Sequence, residues 1–177
     1  RGTPYHPAHS TAVAGRVDIK GGDDRFYNNI LVGKGESPVV AGKGAEAASG
    51  FGLWVYDNRP FPLQTGGNVF CNGARPYARE ANAVTLPSVD PKVRIVDEGA
   101  NVYLHLTWDP AMRNPNTALV TTELLGKARI PDLAYENPDG SPLKVATDYF
   151  GKRRAKASPT PGPFENPAQG ELRLKVW

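Results

Sequence analysis

Phe26-Tyr27-Asn28-Asn29-Ile30-Leu31-Val32-Gly33 has a counterpart later in the chain, Gly66-Gly67-Asn68-Val69-Phe70-Cys71-Asn72-Gly73. Each segment sets an asparagine before three apolar residues and closes on glycine. A third apolar run, Phe51-Gly52-Leu53-Trp54-Val55-Tyr56-Asp57-Asn58, lies between them. Short apolar strands parted by Asn and Gly predict rungs of a parallel β-helix, in which strands stack in register. Asn side chains at the bends then line up as hydrogen-bonded ladders between coils. One rung cannot bury its inner face alone, and about three must stack for stability. With two or three rungs and an irregular insert from Gly33 to Gly50, the chain is expected to continue a stack whose earlier rungs precede Arg1. It also begins without an initiator Met or a signal-peptide pattern, which marks it as a processed product or a piece of a longer protein.

Working outward, the composition agrees with an all-β reading. The 177 residues include 19 glycines and 17 prolines without any collagen-like period, which suits many short strands joined by turns. No window carries a sustained apolar stripe of 3.6-residue period, and no stretch approaches the ~18 apolar residues needed to span a bilayer. The 21 basic and 18 acidic residues leave the chain only mildly positive. Its densest basic run, Lys152, Arg153, Arg154 and Lys156, is too short for a phosphate-neutralising stripe and reads as solvated surface. Neither a nucleic-acid nor a membrane partner is expected. Cys71 is the only cysteine, which excludes an internal disulfide and a Cys-rich metal site; within Val69-Phe70-Cys71 it reads as a small buried hydrophobe.

The character changes near Pro87, so residues 1–86 are read as terminal β-helix rungs and 87–177 as a small antiparallel β-sandwich. Val93-Arg94-Ile95-Val96, the turn Asp97-Glu98-Gly99-Ala100 and Asn101 to Trp108 predict a hairpin. In its second strand Val102, Leu104, Leu106 and Trp108 share one face, and Asn101, Tyr103, His105 and Thr107 the other. Ala118 to Leu125 reads as a strand or short helix, and Asn137-Pro138-Asp139-Gly140 as a turn. The four prolines between Ser158 and Pro167 exclude regular ladder strands there. Leu172, Leu174 and Val176 alternate with Glu171, Arg173 and Lys175 as a final edge strand. The sandwich would cap the exposed last rung.

Several of these stretches resemble a known family. Thr3-Pro4-Tyr5-His6-Pro7-Ala8-His9-Ser10-Thr11, followed by Gly21-Gly22-Asp23-Asp24-Arg25-Phe26-Tyr27-Asn28-Asn29, resembles bacterial β-helix glycosidases of the glycoside hydrolase family 120 type, whose members act as β-xylosidases. Thr121 to Lys127, Asp139 to Leu143, Asp148 to Lys152 and Pro159 to Phe164 look like the C-terminal part of the same proteins. The resemblance runs from Thr3 to Trp177 but covers only a C-terminal portion of the family's length. It implies a retaining mechanism with an Asp nucleophile and a Glu acid/base, no cofactor, and a xylo-oligosaccharide or related glycoside as ligand. The two catalytic carboxylates belong to upstream rungs, and no position here matches them, so no catalytic residue is assigned to this chain.

A retaining glycosidase needs two carboxyl groups about 5–5.5 Å apart. Asp23, Asp24, Glu36, Glu46, Asp57 and Glu80 are available, but sequence alone brings no two together. Asp23 and Asp24 are adjacent and would point to opposite faces of a strand; turn chemistry with Arg25 as ion-pair partner is the simpler reading. Tyr5, His6 and His9 lie in a loop stiffened by Pro4 and Pro7. There Tyr5 could stack on a sugar ring and the imidazoles could bond its hydroxyls, unless they are ordinary surface histidines. Those three with Arg25 are the candidate substrate-binding residues. No third ligand accompanies His6 and His9, so no metal is expected. Trp54, Trp108 and Trp177 could offer stacking platforms, although Trp108 falls on an apolar strand face and suits a core. His105, on the polar face, calls for no functional explanation.

The function these residues imply is that of the C-terminal portion of a β-xylosidase-like glycoside hydrolase, completing and capping the β-helix and lending residues to the rim of a sugar pocket. Its partners would be the carbohydrate and the upstream β-helix segment, with a homo-oligomer left open. The alternative is a non-catalytic carbohydrate-binding or structural module of a larger β-helix protein. A polysaccharide lyase shares the architecture but would want a dense Asp cluster for Ca²⁺, which is lacking. Secretion or a periplasmic location in a bacterium is the expected setting.

Overall fold

The computed structural model describes residues 2–34 and 51–177. It consists mostly of short strands with almost no helix, as the sequence predicts for an all-β chain. Strands β1 (Thr3–Tyr5) and β2 (Gly15–Val17) form an antiparallel hairpin. Strand β3 (Arg25–Tyr27) pairs in parallel with β5 (Gln64–Gly66), and β4 (Ile30–Val32) in parallel with β6 (Val69–Cys71). The two segments that resemble each other in sequence therefore lie side by side. Their bends coincide as well: Asn28 (φ 57°) and Gly67 (φ 67°) both turn the chain through the left-handed region. Glycine is required at position 67, because an added Cβ would lie 2.5 Å from Asn28 Oδ1.

Asn68 sits at this bend, wholly buried. Its Oδ1 accepts from the Asn29 backbone N–H at 2.8 Å and from Asn29 Nδ2 at 3.0 Å, across 39 residues of sequence. Its Nδ2 donates to Phe26 O at 2.8 Å and to Glu80 Oε1 at 2.9 Å. The expected Asn ladder thus has two asparagines, Asn29 and Asn68, and on its far side a glutamate takes the next place.

The third strand of the stack differs from the expectation. The apolar run at residues 51–58 forms a 3-10 turn over Trp54–Tyr56 instead of a rung. Gly52, at φ 121°, breaks strand periodicity before Leu53 and makes only a single parallel bridge to Arg75. The neighbour of β6 is β7 (Val84–Leu86), only fifteen residues on, with Val69 opposite Val84. The insert read between Gly33 and Gly50 lies, from residue 35 onward, outside the described residues, and so do Glu36 and Glu46.

Strand β6 is buried on both faces, as a central parallel strand should be. Phe70 points into a core with Leu53, Leu63, Ala74 and Tyr77, while Val69 and Cys71 point into another with Trp108 and Met112. Cys71 is a buried free thiol, and burial pushes its pKa up to about 11. The second core joins the two halves of the chain. Strands β8 (Arg94–Asp97), β9 (Val102–Trp108) and β10 (Gly170–Lys175) form an antiparallel sheet in the order β10-β9-β8. Leu106, Trp108 and Leu172 of that sheet pack on the Val69 and Cys71 face. The predicted hairpin and the alternation of β10 appear as read.

Between β9 and β10, isolated bridges replace long ladders among the described residues. Ala118 to Leu125 resolves into two isolated bridges, at Ala118 and Thr121, and one helical turn, α1 (Thr122–Leu125), capped by Thr121. The proline segment is irregular, as expected, but it is not surface: Pro159, Thr160 and Pro161 are fully buried. Part of the basic run is also inside. Arg154 donates to Thr160 O (2.9 Å) and Gly162 O (2.8 Å) and lies 3.7 Å from the buried Glu165 carboxylate. Prolines lack an N–H, so a segment rich in them has too few backbone donors for its carbonyls, and a guanidinium supplies several from one side chain.

An Asn68→Ala chain should lose about 3 kcal/mol of stability, because its neighbours' donors and acceptors stay buried without partners. Asn116→Ala, exposed, should stay within about 0.5 kcal/mol of the parent. Urea denaturation checks both; equal midpoints for the two variants would remove the ladder from the account.

Candidate functional site

The N-terminal hairpin places three of the four candidate ligand residues together. Tyr5 ends β1 and lies across from Gly15, where an added Cβ would come within 2.7 Å of the Tyr5 hydroxyl; the ring covers the glycine. His6 is exposed and its Nδ1 contacts Ala12 O at 2.9 Å, closing the loop. His9 adopts φ 52° and reaches Glu136 Oε1 at 2.8 Å, so the hairpin docks on the turn that ends at Gly140. That turn forms as predicted, with Gly140 N–H bonded to Asn137 O.

Arg25 has a different setting. Its side chain is only 6% exposed and points at the second half of the chain. Nε donates to Leu125 O at 3.0 Å, and the guanidinium lies 4.8 Å from the centre of the Tyr135 ring. Nη1 pairs with Asp23 Oδ1 at 2.7 Å, the ion pair that the simpler reading of the sequence expects. The other Asp23 oxygen accepts from the Arg129 N–H at 2.7 Å. Arg25 and His9 thus end on consecutive residues, Tyr135 and Glu136, although their donors serve internal contacts.

The described carboxylates are engaged separately. Asp23 holds Arg25 and Arg129; Asp57 accepts from the Ala78 N–H at 2.9 Å; Glu80 completes the Asn68 ladder; Asp24 is exposed. Burial raises the Glu80 pKa, against the lowering effect of bonds from the Asn68 side chain and backbone and the Thr65 side chain. Trp108 is a core residue at 4% exposure, and Trp177 at 83% stands open. Trp54 carries the Arg75 guanidinium 5.1 Å from its ring centre, so one face of that platform is occupied. Among the described residues, no group of three or more His, Cys, Asp and Glu side chains could hold a metal ion.

Sequence reasoning missed the cleft beside the bend at Asn28. It encloses about 370 Å³ and is lined by Tyr27, Asn28, Asn29, Ile30, Leu119, Val120, Val145, Arg154, Gly162 and Pro163. An apolar wall with a few polar groups is the usual make-up of a small-ligand site. Burial raises the Tyr27 pKa, with Arg25 opposing, so its hydroxyl stays a neutral donor. The lining holds no carboxylate, so this cleft can bind a hydroxylated ligand but cannot supply the acid and base of glycoside hydrolysis. Tyr5, His6, His9 and Arg25 are not among its walls. The Asn28 position hinted at it, since a left-handed asparagine at a bend often carries local bonding. The opposite wall comes from residues 119–163, which nothing in the local sequence joins to Asn28.

Comparison with known proteins gives one informative likeness. The chain is similar to XylC, whose structure was solved in complex with xylose, at 33% identity over 100% of this chain and with a TM-score of 0.85. It spans 30% of that protein's chain. No protein-family model and no curated protein matches the sequence.

Two outcomes follow from the site geometry. Arg25→Lys should lower stability by about 2–3 kcal/mol in the absence of any sugar, because an ammonium cannot replace the buried fork. Unchanged thermal unfolding with weakened sugar binding would instead make Arg25 a ligand contact. The second outcome concerns Glu80, whose folded pKa lies above its unfolded value. Its contribution is therefore full below the unfolded carboxyl pKa and is lost as pH rises through the folded one. Glu80→Gln should gain stability relative to the parent as pH rises from about 4 to 7. A difference that does not vary over that range, measured by urea unfolding, would contradict the buried-carboxyl account.

Proposed function

We propose that this chain is the C-terminal portion of a carbohydrate-active glycoside hydrolase of the family 120 type, a retaining β-xylosidase. In this reading β3 to β7 are the last coils of a right-handed parallel β-helix, and residues 87–177 form a sandwich-like domain that caps it. The observation that carries it is the likeness to XylC, solved with xylose, over the whole of this chain. The matched bends 39 residues apart support it from the fold side. The ladder also has an open end, since among the described residues no donor is bonded to Asn29 Oδ1. An upstream coil in parallel register with β3 and β4 would fill that place as Asn29 fills it for Asn68. The catalytic Asp and Glu belong to that upstream segment, while this chain contributes the cleft at Asn28 and, apart from it, Tyr5, His6, His9 and Arg25 toward the rim of the sugar pocket. The whole protein is secreted or periplasmic in a bacterium and needs no cofactor.

The engaged state of Asp23, Asp57 and Glu80 favours a second reading for the chain on its own, that of a sugar-binding or structural module without hydrolytic activity. Native and denatured masses of the purified material, with an aryl β-xyloside assay and xylose titration, separate the two. A complex with a larger chain that releases xylose with retained configuration is expected if the enzyme reading holds. A lone 19.1 kDa species that binds xylose without hydrolysis makes it a module. Absence of both binding and hydrolysis overturns the carbohydrate function.

A further inference from the structure

The outer face of the antiparallel sheet carries an unusual row. Arg94 of β8 lies directly opposite His105 of β9, and His105 directly opposite Arg173 of β10. Two guanidinium groups thus flank one imidazole across neighbouring strands. Arg173 has a counter-charge of its own: Nη2 meets both oxygens of Glu98, at 2.8 and 2.7 Å, and its guanidinium stacks over the Tyr103 ring. Arg94 has no such counter-charge. Among the described residues, no carboxylate lies within ion-pair distance of Arg94 or of Lys92, which precedes it on the same edge.

The imidazole between them is incompletely bonded. Arg94 Nη2 lies 3.4 Å from His105 Nδ1, and a guanidinium can only donate, so Nδ1 is the acceptor and Nε2 bears the proton. That Nε2 is buried with no hydrogen-bond partner. A buried donor without an acceptor is rare enough in folded proteins to call for a missing partner. Lys92, Arg94, His105, Thr107 and Glu171 surround a recess of about 280 Å³ at this point. Its size lies just below the range usual for drug-sized ligands, about 300–1,000 Å³, and suits one ring rather than a chain of them.

We propose that this recess binds a single uronic acid residue, whose carboxylate sits on Arg94 and Lys92 while its ring oxygens and hydroxyls meet His105, Thr107 and Glu171. The planar fork of Arg94 matches a carboxylate, and Lys92 adds a second positive charge. Glu171 decides against an inorganic phosphate. A carboxylate on the wall repels a dianion, yet accepts hydrogen bonds from the hydroxyls of a sugar. The choice of a sugar acid over any other hydroxy acid rests on the carbohydrate reading of the protein; the cationic pair and the orphan imidazole donor do not. The cleft at Asn28 shares none of the recess's lining residues.

Calorimetric titration of the full 177-residue chain with D-glucuronate, D-glucose and inorganic phosphate tests this. Glucuronate is expected to bind at least tenfold more tightly than glucose or phosphate. Arg94→Gln, at an exposed strand position, should weaken it about tenfold and leave xylose binding unchanged. In the parent chain the His105 ring signals in an NMR spectrum should move on addition of glucuronate. Glucose binding as tightly as glucuronate, phosphate binding more tightly, or an Arg94→Gln chain of unaltered affinity would each overturn the proposal. Since xylose is followed in the same samples, loss of glucuronate binding with xylose binding intact sinks this site alone.

Discussion

A primary amide taken out of water must find partners for two donors and an acceptor, and Asn68 is wholly withdrawn from solvent at the bend between β5 and β6. Every strand of the parallel stack is placed by how that requirement is met. Asn29 supplies two donors from the coil above, Phe26 an acceptor, and Glu80 an acceptor on the other side. The Asn68 carbonyl takes the Val84 N–H that begins β7 and an amide proton from Asn114. One buried side chain and its backbone thus fix the register of three strands and tie in a residue of the second half. Slipping any strand by one position would turn its apolar residues to the wrong face and break this set together.

The same economy of donors joins the halves elsewhere. Arg25 leaves β3 to cap the carbonyl at the end of α1, and within the second half Arg154 binds carbonyls of the proline segment. That segment in turn donates from the Gly162 N–H to Asn28 O at 2.7 Å. Irregular chain can be buried only if its backbone groups are satisfied, and arginine does this for carbonyls that no ladder reaches. The stretch between β9 and β10 therefore holds a fixed path with little regular structure. It forms one wall of the cleft at Asn28.

Both surface features of interest follow from this arrangement. The cleft exists because the proline segment crosses the bend of β3 and β4 without filling the space beside Tyr27. The recess at His105 exists because the antiparallel sheet turns its apolar side to Val69 and Cys71, which leaves the polar face of β9 outward. The first is lined by an aromatic hydroxyl, amides and the Arg154 guanidinium, which is committed to the Thr160 and Gly162 carbonyls; the second carries Arg94, a guanidinium with no carboxylate partner among the described residues.

The sequence by itself determined the all-β character, the pairing of the two Asn-before-apolar segments, the hairpin of β8 and β9, the edge strand β10 and the Asp23–Arg25 pair. All of these depend on contacts that are local or that repeat with a period, and such contacts leave a pattern in the order of residues. Tertiary structure alone decided that residues 51–58 turn as a 3-10 helix while Val84–Leu86 becomes the next strand, since both runs are equally apolar and only the space beside β6 selects between them. It also buried much of the proline segment and drew Arg154 of the basic run inward, and it brought residues 119–163 against Asn28. The cleft and the His105 recess were illegible for the same reason. Their walls are assembled from side chains far apart in the chain, and nothing in a linear sequence records which distant carbonyl a guanidinium will find.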